Sequence, residues 1–359
     1  ALVLGATDRL YWQPSANANG TVSDVLTFRA WDVTAPEGSG VTTDASTQGG
    51  ATAFSTATDT VAITVNAVND APTINAGPVT LIGIDENTVG AARSVSELLT
   101  TLGYADLEAD VGGVAVTAAQ GNGHWQYSTD NSATWHNMGA VSVGAALLLD
   151  SSAQLRYAPD NANGESHVAL TLRAWDGSTG TASSGATRGT VDITVNSTVD
   201  GTGTGGSTAF STQQADLLIA ISAVNDAPTL VTGTTYTMAG ANEDAASTAP
   251  VAVATILANA GRADVDTGAA SGLVITDLAG RGDWQYSLDT GKTWTAIAGV
   301  STDQALALGA TAQVRYQPDA ERGETATFSF RAWDTTSGSE GNTLDAGTTG
   351  GATALSTQT

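Results

Sequence analysis

The sequence predicts an all-β protein, an antiparallel β-sandwich repeated along the chain, and three observations carry that reading. Apolar and polar residues alternate over short runs, the period of a half-buried strand. In residues 25–31, Leu26, Phe28 and Ala30 fall on one face and Thr27, Arg29 and Trp31 on the other. The chain also repeats itself: Val-Asn-Asp-Ala-Pro-Thr occupies residues 68–73 and again 224–229, 224 − 68 = 156 positions apart, and internal repetition is the mark of an array of like units. Lastly, 41 glycines and frequent Asp, Asn and Ser break the chain into strand-sized pieces.

Taken in order, the chain starts in mid-pattern. Residues 1–70 read as the C-terminal half of a first repeat, 71–226 as a complete repeat, and 227–359 as a third repeat lacking its last strand, the counterpart of residues 60–65. The block Phe28-Arg29-Ala30-Trp31-Asp32 returns as Leu172-Arg173-Ala174-Trp175-Asp176 and as Phe330-Arg331-Ala332-Trp333-Asp334. A Pro-to-Gly turn precedes each block (residues 14–20, 159–164, 318–323), and a Gly-Gly motif follows it (49–55, 205–211, 350–356). Inward alternation recurs at Leu170, Leu172 and Ala174 and at Phe328, Phe330 and Ala332. In the preceding strand it recurs at Leu155 with Tyr157 and at Val314 with Tyr316. Helical periodicity is confined to residues 95–102 and 251–260, each predicting one short helix. Residues 178–204, rich in Gly, Ser and Thr, predict a surface loop with a short strand at 191–195.

The repeated hexapeptide ends strand-like runs (residues 61–65 and 217–221). Its proline cannot donate to a ladder and holds the preceding residue extended, so the hexapeptide reads as a stiff joint between successive units.

Charge narrows the function classes. There are 36 acidic and 12 basic residues, a net −24, with a pI near 4.1. Nucleic-acid binding requires a basic footprint, and an anionic membrane surface repels such a chain; neither partner is expected. No apolar run reaches the length that spans a bilayer. With no cysteine, disulfides, thiol catalysis and Cys-type zinc sites are excluded.

The acidic residues fall into ordered sets. After Asn69-Asp70 come Asp85-Glu86-Asn87, then Asp106 and Glu108; after Asn225-Asp226 come Asn242-Glu243-Asp244, then Asp264 and Asp266. Calcium takes six to eight oxygens, and carboxylates gathered by a fold repel unless a cation lies among them. The expectation is Ca2+ at the joints, with Asp32, Asp176 and Asp334 adding a ligand where they end their strands. The competing reading is turn-capping Asp and Asn on a solvated surface.

The run from Tyr157 through Pro159-Asp160-Asn161-Ala162-Asn163-Gly164, then Leu172-Arg173-Ala174-Trp175-Asp176-Gly177, then Val224-Asn225-Asp226-Ala227-Pro228, resembles the cadherin-like or VCBS-type repeats of giant bacterial surface adhesins of the RTX type. The Asn-Asp joint is similar to the calcium-binding linker of cadherins. The resemblance covers nearly the whole chain. It implies tandem Ig-like or cadherin-like sandwiches in an elongated array, export to the cell surface, and calcium-stiffened joints; it names no ligand. These repeats are longer than a usual domain of about 100 residues.

Part of the excess is a tryptophan hairpin found in two repeats: Trp125 with Trp135, and Trp284 with Trp294. Residues 287–294 spell S-x-D-x-G-x-T-W, the Asp box of sialidase propellers, which is a structural β-turn. The two tryptophans of each hairpin are expected to face each other, as are His124 and His136. Arg and Trp two apart (Arg29/Trp31, Arg173/Trp175, Arg331/Trp333) are expected to pack under a loop, with cation–π stacking as the alternative. No nucleophile has a base near it in sequence and no phosphate loop is present, so the chain is expected not to be an enzyme. The functional expectation is an extracellular stalk or filament segment of an adhesin. Its partners would be neighbouring repeats, or other copies by strand complementation. The alternative is a carbohydrate-binding module using the exposed tryptophans and loops, with glycan as its partner.

Overall fold

A computed structural model of the chain describes residues 1–34, 38–110, 112–161, 163–194 and 203–359. The fold is built mainly of β-strands in several small sheets, as the alternation predicts.

In the middle repeat, one sheet runs in the order Thr190–Val191, Ala146–Asp150, Gly113–Ala119, Glu165–Trp175, Ala215–Ser222, Gly77–Thr80. A second sheet runs Arg93–Ser94, Gln154–Ala158, His124–Ser128, His136–Asn137. They close over a shared core of Val114, Val116, Leu147, Leu149, Leu170, Leu172, Leu217 and Ile219 from the first, and Trp125, Tyr127, Leu155 and Tyr157 from the second. Side chains alternate across a strand, so the residues between them point the other way. Ala115, Leu148 and Trp175 meet Ile193, Ala209 and Phe210 in a second core. Where Ala146–Asp150, Gly113–Ala119 and the end of Glu165–Trp175 lie side by side, the first sheet is therefore buried on both faces, which accounts for the length of the repeat, whereas the outer face of Ala215–Ser222 stays partly exposed. Residues 178–194 and 203–211 cover this second core rather than merely decorating the surface. Of the strand expected at 191–195, Thr190–Val191 is present; Val195 lies outside the described residues.

Two short helices form where expected. α1, Val95–Thr101, has a capping box between Ser94 and Glu97 and buries Val95, Leu98 and Leu99. α2, Val253–Asn259, begins at Ala252 without a side-chain cap and buries Val253, Ile256 and Leu257.

The pairing departs from the antiparallel expectation at one edge. Gly77–Thr80 and Ile84–Asp85 run parallel to Ala215–Ser222, with Ala215 opposite Gly77 and Ser222 opposite Asp85. Parallel neighbours need a long connection, and here the rest of the repeat supplies it. This pairing brings the start of the repeat to its end.

The third repeat builds the second sheet again, Val251–Ala252, Gln313–Gln317, Asp283–Ser287, Thr295–Ala296, and part of the first, Thr327–Trp333, Gly272–Ala279, Ala305–Gly309, Thr343–Leu344, without counterparts of Ala215–Ser222 and Gly77–Thr80 among the described residues. Trp333, Leu355 and Val274 form its second core. Beside Thr327–Trp333 lies a groove of about 700 Å³ lined by Tyr236, Met238, Trp284, Phe328 and Phe330. In residues 1–70, Gly20–Phe28 pairs with Asp59–Val65 and leaves Val22, Phe28 and Val61 exposed. Among the described residues no helix is long and apolar enough to cross a membrane.

Candidate metal centre at the joints

Each joint docks on one pole of the repeat that follows it. Asn69 Nδ2 donates to Asp176 Oδ2 (2.9 Å) and to the Thr208 carbonyl (3.1 Å). The Asp70 amide donates to Glu108 Oε2 (3.2 Å), the Glu108 amide to Asp106 Oδ1 (2.9 Å), and the Ala71 amide to the Gly206 carbonyl (2.8 Å). The second joint repeats this bond for bond. Asn225 Nδ2 reaches Asp334 Oδ2 (2.8 Å) and the Thr353 carbonyl (3.2 Å). The Asp226 amide reaches Asp266 Oδ2 (2.8 Å), the Asp266 amide reaches Asp264 Oδ1 (3.1 Å), and the Ala227 amide reaches the Gly351 carbonyl (2.7 Å). The RAWD and Gly-Gly motifs are the seat for the joint, which is why they recur together.

The second joint gains a residue that sequence order assigns elsewhere. Sequence order groups Glu86 with the first joint, 86 − 69 = 17 positions after Asn69. The parallel strand Ile84–Asp85 carries it to the far pole, where its Oε1 accepts from the Val224 amide (2.7 Å). There one carboxylate oxygen each of Glu86, Asp226 and Asp266 lie within 4.8 Å of one another. Asp85 travels with Glu86 to the second joint. Asn225 and Asp264 stand with them at the second joint, and the remaining predicted residues lie apart from this centre. Asn69, Asp70, Asp106, Glu108 and Asp176 form the first joint. Glu243 and Asp244, the counterparts of the acidic triplet, are exposed. Asp32 is exposed and bonds Thr34, so it belongs to neither joint. The signal that could have found the regrouping is the parallel pairing, which periodicity does not reveal.

The centre fits a hard cation. Glu86 is 0% exposed, yet its Oε2 has no hydrogen-bond partner, and neither do the buried Oδ2 of Asp226 and Oδ1 of Asp85. A buried carboxylate oxygen left unpaired is costly. All donors are oxygen, the set calcium takes at 2.3–2.6 Å per ligand; two ligands on opposite sides of such an ion would stand about 5 Å apart, the scale of the 4.8 Å cluster. Burial, then the charges of Asp266 and Asp264, push the Asp226 carboxyl above its ordinary range. Burial does the same to Asp264, partly offset by the Asp266 amide and Arg262. At the first joint burial raises Asp106, whose Oδ2 is likewise unpartnered.

The tryptophan hairpins depart from expectation. Trp125 (4% exposed) and Trp284 (7%) belong to the cores, packed at a tilt against Tyr157 (ring centroids 5.3 Å apart) and Tyr316 (5.0 Å). Trp135 and Trp294 instead lie under Arg156 (4.0 Å) and Arg315 (4.1 Å). Tyr157 and Arg156 are strand neighbours pointing to opposite faces, so the two tryptophans of a hairpin do not face each other. Likewise Tyr127, not His124, is opposite His136. Cation–π stacking thus occurs at these arginines. Arg173 and Arg331 donate to the carbonyls of Ser211 and Ser356, while Trp175 packs with Phe210 under the loop. In the Asp box, Asp289 accepts from the Thr293 amide and hydroxyl and from the Ser287 hydroxyl, which hold its carboxyl well below the usual range. In the equivalent turn, bonds from the Thr134 hydroxyl, then its amide, then Ser128 hold Asp130 down to about 2.

No family model matches the chain, and no curated protein does. Among solved structures it is similar to the endo-fucoidan hydrolase MfFcnA4 of glycoside hydrolase family 107 (13% identity, TM-score 0.25, covering 80% of this chain and 31% of the enzyme). A variant of that enzyme matches at 14% identity and TM-score 0.25, covering 78% and 30%. The chain therefore spans under a third of the length of each. Both are enzymes, and on this finding the expectation that the chain is not an enzyme is withdrawn. An overlap at TM-score 0.25 carries no argument for any particular activity of this chain.

Proposed function

We propose that this chain is a structural segment of an extracellular, cell-surface stalk or filament of an adhesin, made of tandem Ig-like or cadherin-like sandwiches whose joints are stiffened by Ca2+. Residues 1–70 are the C-terminal half of one domain, 71–226 a complete domain, and 227–359 a third lacking its last strand. Its partners are the neighbouring domains of the same chain or filament. One observation carries the reading: a fully buried Glu86 from the middle repeat meets Asp226 at the end of that repeat and Asp266 of the next, with Glu86 Oε2 and Asp226 Oδ2 left unpaired. An ion bridging these groups would tie two successive domains together and resist bending between them. The bond-for-bond recurrence of the Asn-Asp docking at both joints supports a device used once per domain. The carboxylates repel without a cation, so the joint would then flex.

The test is small-angle scattering and calorimetry on the full chain, in calcium and in chelator. The expected result is a longer particle and a higher melting temperature with calcium. Superimposable scattering curves and equal melting temperatures would sink the reading.

A further inference from the structure

We propose that Arg262 is a built-in cation of the second joint, standing beside Asp264 where a second divalent ion would otherwise be held, and so limits how many ions that joint binds. This rests on the joint reading above. The two joints can be compared atom by atom, because the bridges Thr73–Ala105 and Thr229–Ala263 fix the correspondence. Tyr104 then matches Arg262, Asp106 matches Asp264, and Glu108 matches Asp266. Asp106 and Asp264 each accept one backbone amide on Oδ1. They differ at Oδ2. That oxygen has no partner in Asp106, whereas in Asp264 it receives Arg262 Nη2 at 2.7 Å.

The guanidinium is positioned, not merely nearby. The Arg262 and Asp264 side chains are 14% and 4% exposed, and the same Nη2 donates to the Ala270 carbonyl at 2.8 Å. Tyr104 brings no charge; its hydroxyl donates to the Asp110 carbonyl. A guanidinium stays charged at every accessible pH and is weakly hydrated, which suits it to a buried ion pair. A divalent ion on the same Asp264 oxygen would meet that fixed positive charge. At the same joint, Glu86 Oε2 and Asp226 Oδ2 have no hydrogen-bond partner.

The test counts calcium bound to the full chain by equilibrium dialysis and atomic absorption, for the wild type, Arg262→Tyr, Arg262→Gln and Glu86→Gln. Tyrosine already occupies the equivalent position of the middle repeat; glutamine serves if the tyrosine variant misfolds, as judged by melting in chelator. Arg262→Tyr and Arg262→Gln are expected to bind one more ion per chain than the wild type, and Glu86→Gln one fewer. An unchanged or lower count in both Arg262 variants overturns the inference while leaving the joint reading intact, provided Glu86→Gln loses its ion. A wild type that binds no calcium, or a Glu86→Gln chain that keeps the full count, overturns the joint reading and this inference with it.

Discussion

Replacing Glu86 by Gln should reverse its effect on stability according to whether calcium is present. The substitution keeps the side chain's size and an oxygen for the Val224 amide but removes one of three charges clustered within 4.8 Å. Without a cation, two unit charges at that distance repel by about 3.5 kcal/mol at an effective dielectric of about 20. Glu86 takes part in two such pairs, so neutralising it relieves about 7 kcal/mol at that dielectric. Burial, then the charges of Asp266 and Asp264, already push the Asp226 carboxyl up, the direction that crowding of the carboxylates requires. With calcium at about 100 times its dissociation constant, the wild type gains about 2.7 kcal/mol from binding. For a unit of this size that is a rise of about 5–11 °C. The assay is differential scanning calorimetry of both proteins in chelator and in calcium. The variant should melt higher than the wild type in chelator and show little calcium-dependent rise. Equal calcium-dependent rises in the two proteins would refute the reasoning, as would a variant that melts lower in chelator.

Other expectations follow from the packing and the titrating groups. Gly113→Ala places a Cβ 2.4 Å from the Leu149 carbonyl and 2.8 Å from Trp175 Cε3, and should cost about 1–3 kcal/mol in urea unfolding. Trp175→Ala empties the second core beneath Phe210 and should cost about 3–5 kcal/mol, read as a lower melting temperature of the middle repeat. The two classes of aspartate should respond to pH with opposite sign. Asp130, held down to about 2, contributes stability that is complete above its ordinary 3.8 and lost as pH falls through about 2. Asp130→Asn should therefore flatten acid unfolding in that window, checked by circular dichroism. Asp106, Asp226 and Asp264 are raised, so in chelator their contribution is present at low pH and lost as pH rises through their elevated range. Protons compete with calcium for the same oxygens, so calcium affinity measured by titration should be lower at pH 5 than at pH 7.

Much of the fold was legible because local rules governed it. Leu170, Leu172 and Ala174 point into one core and Trp175 into the other, as a period of two requires. The helix expected from residues 95–102 forms as Val95–Thr101 with its Ser94–Glu97 capping box. Tryptophans were harder to assign. Trp125 and Trp135 look alike in a sequence, but hairpin register and the face of the sheet put one beside Tyr157 and the other beneath Arg156. The loop after Asp176 reads as solvent-facing by composition, yet its scattered Ile193, Ala209 and Phe210 cap a core, because few apolar residues suffice to cover a flat sheet face.

By itself, the sequence determined the repeat, the alternation of its main strands, the proline that closes each Asn-Asp segment, and the excess of carboxylates in a chain without cysteine. Only the tertiary structure decided which carboxylate serves which joint. Glu86 lies close to Asn69 along the chain, but it joins Val224, 138 residues on. The physical reason is the parallel pairing of Ile84–Asp85 with the end of Ala215–Ser222. That ladder is set by which edge of the sheet remains open once the repeat has folded, and no local pattern of residues encodes it.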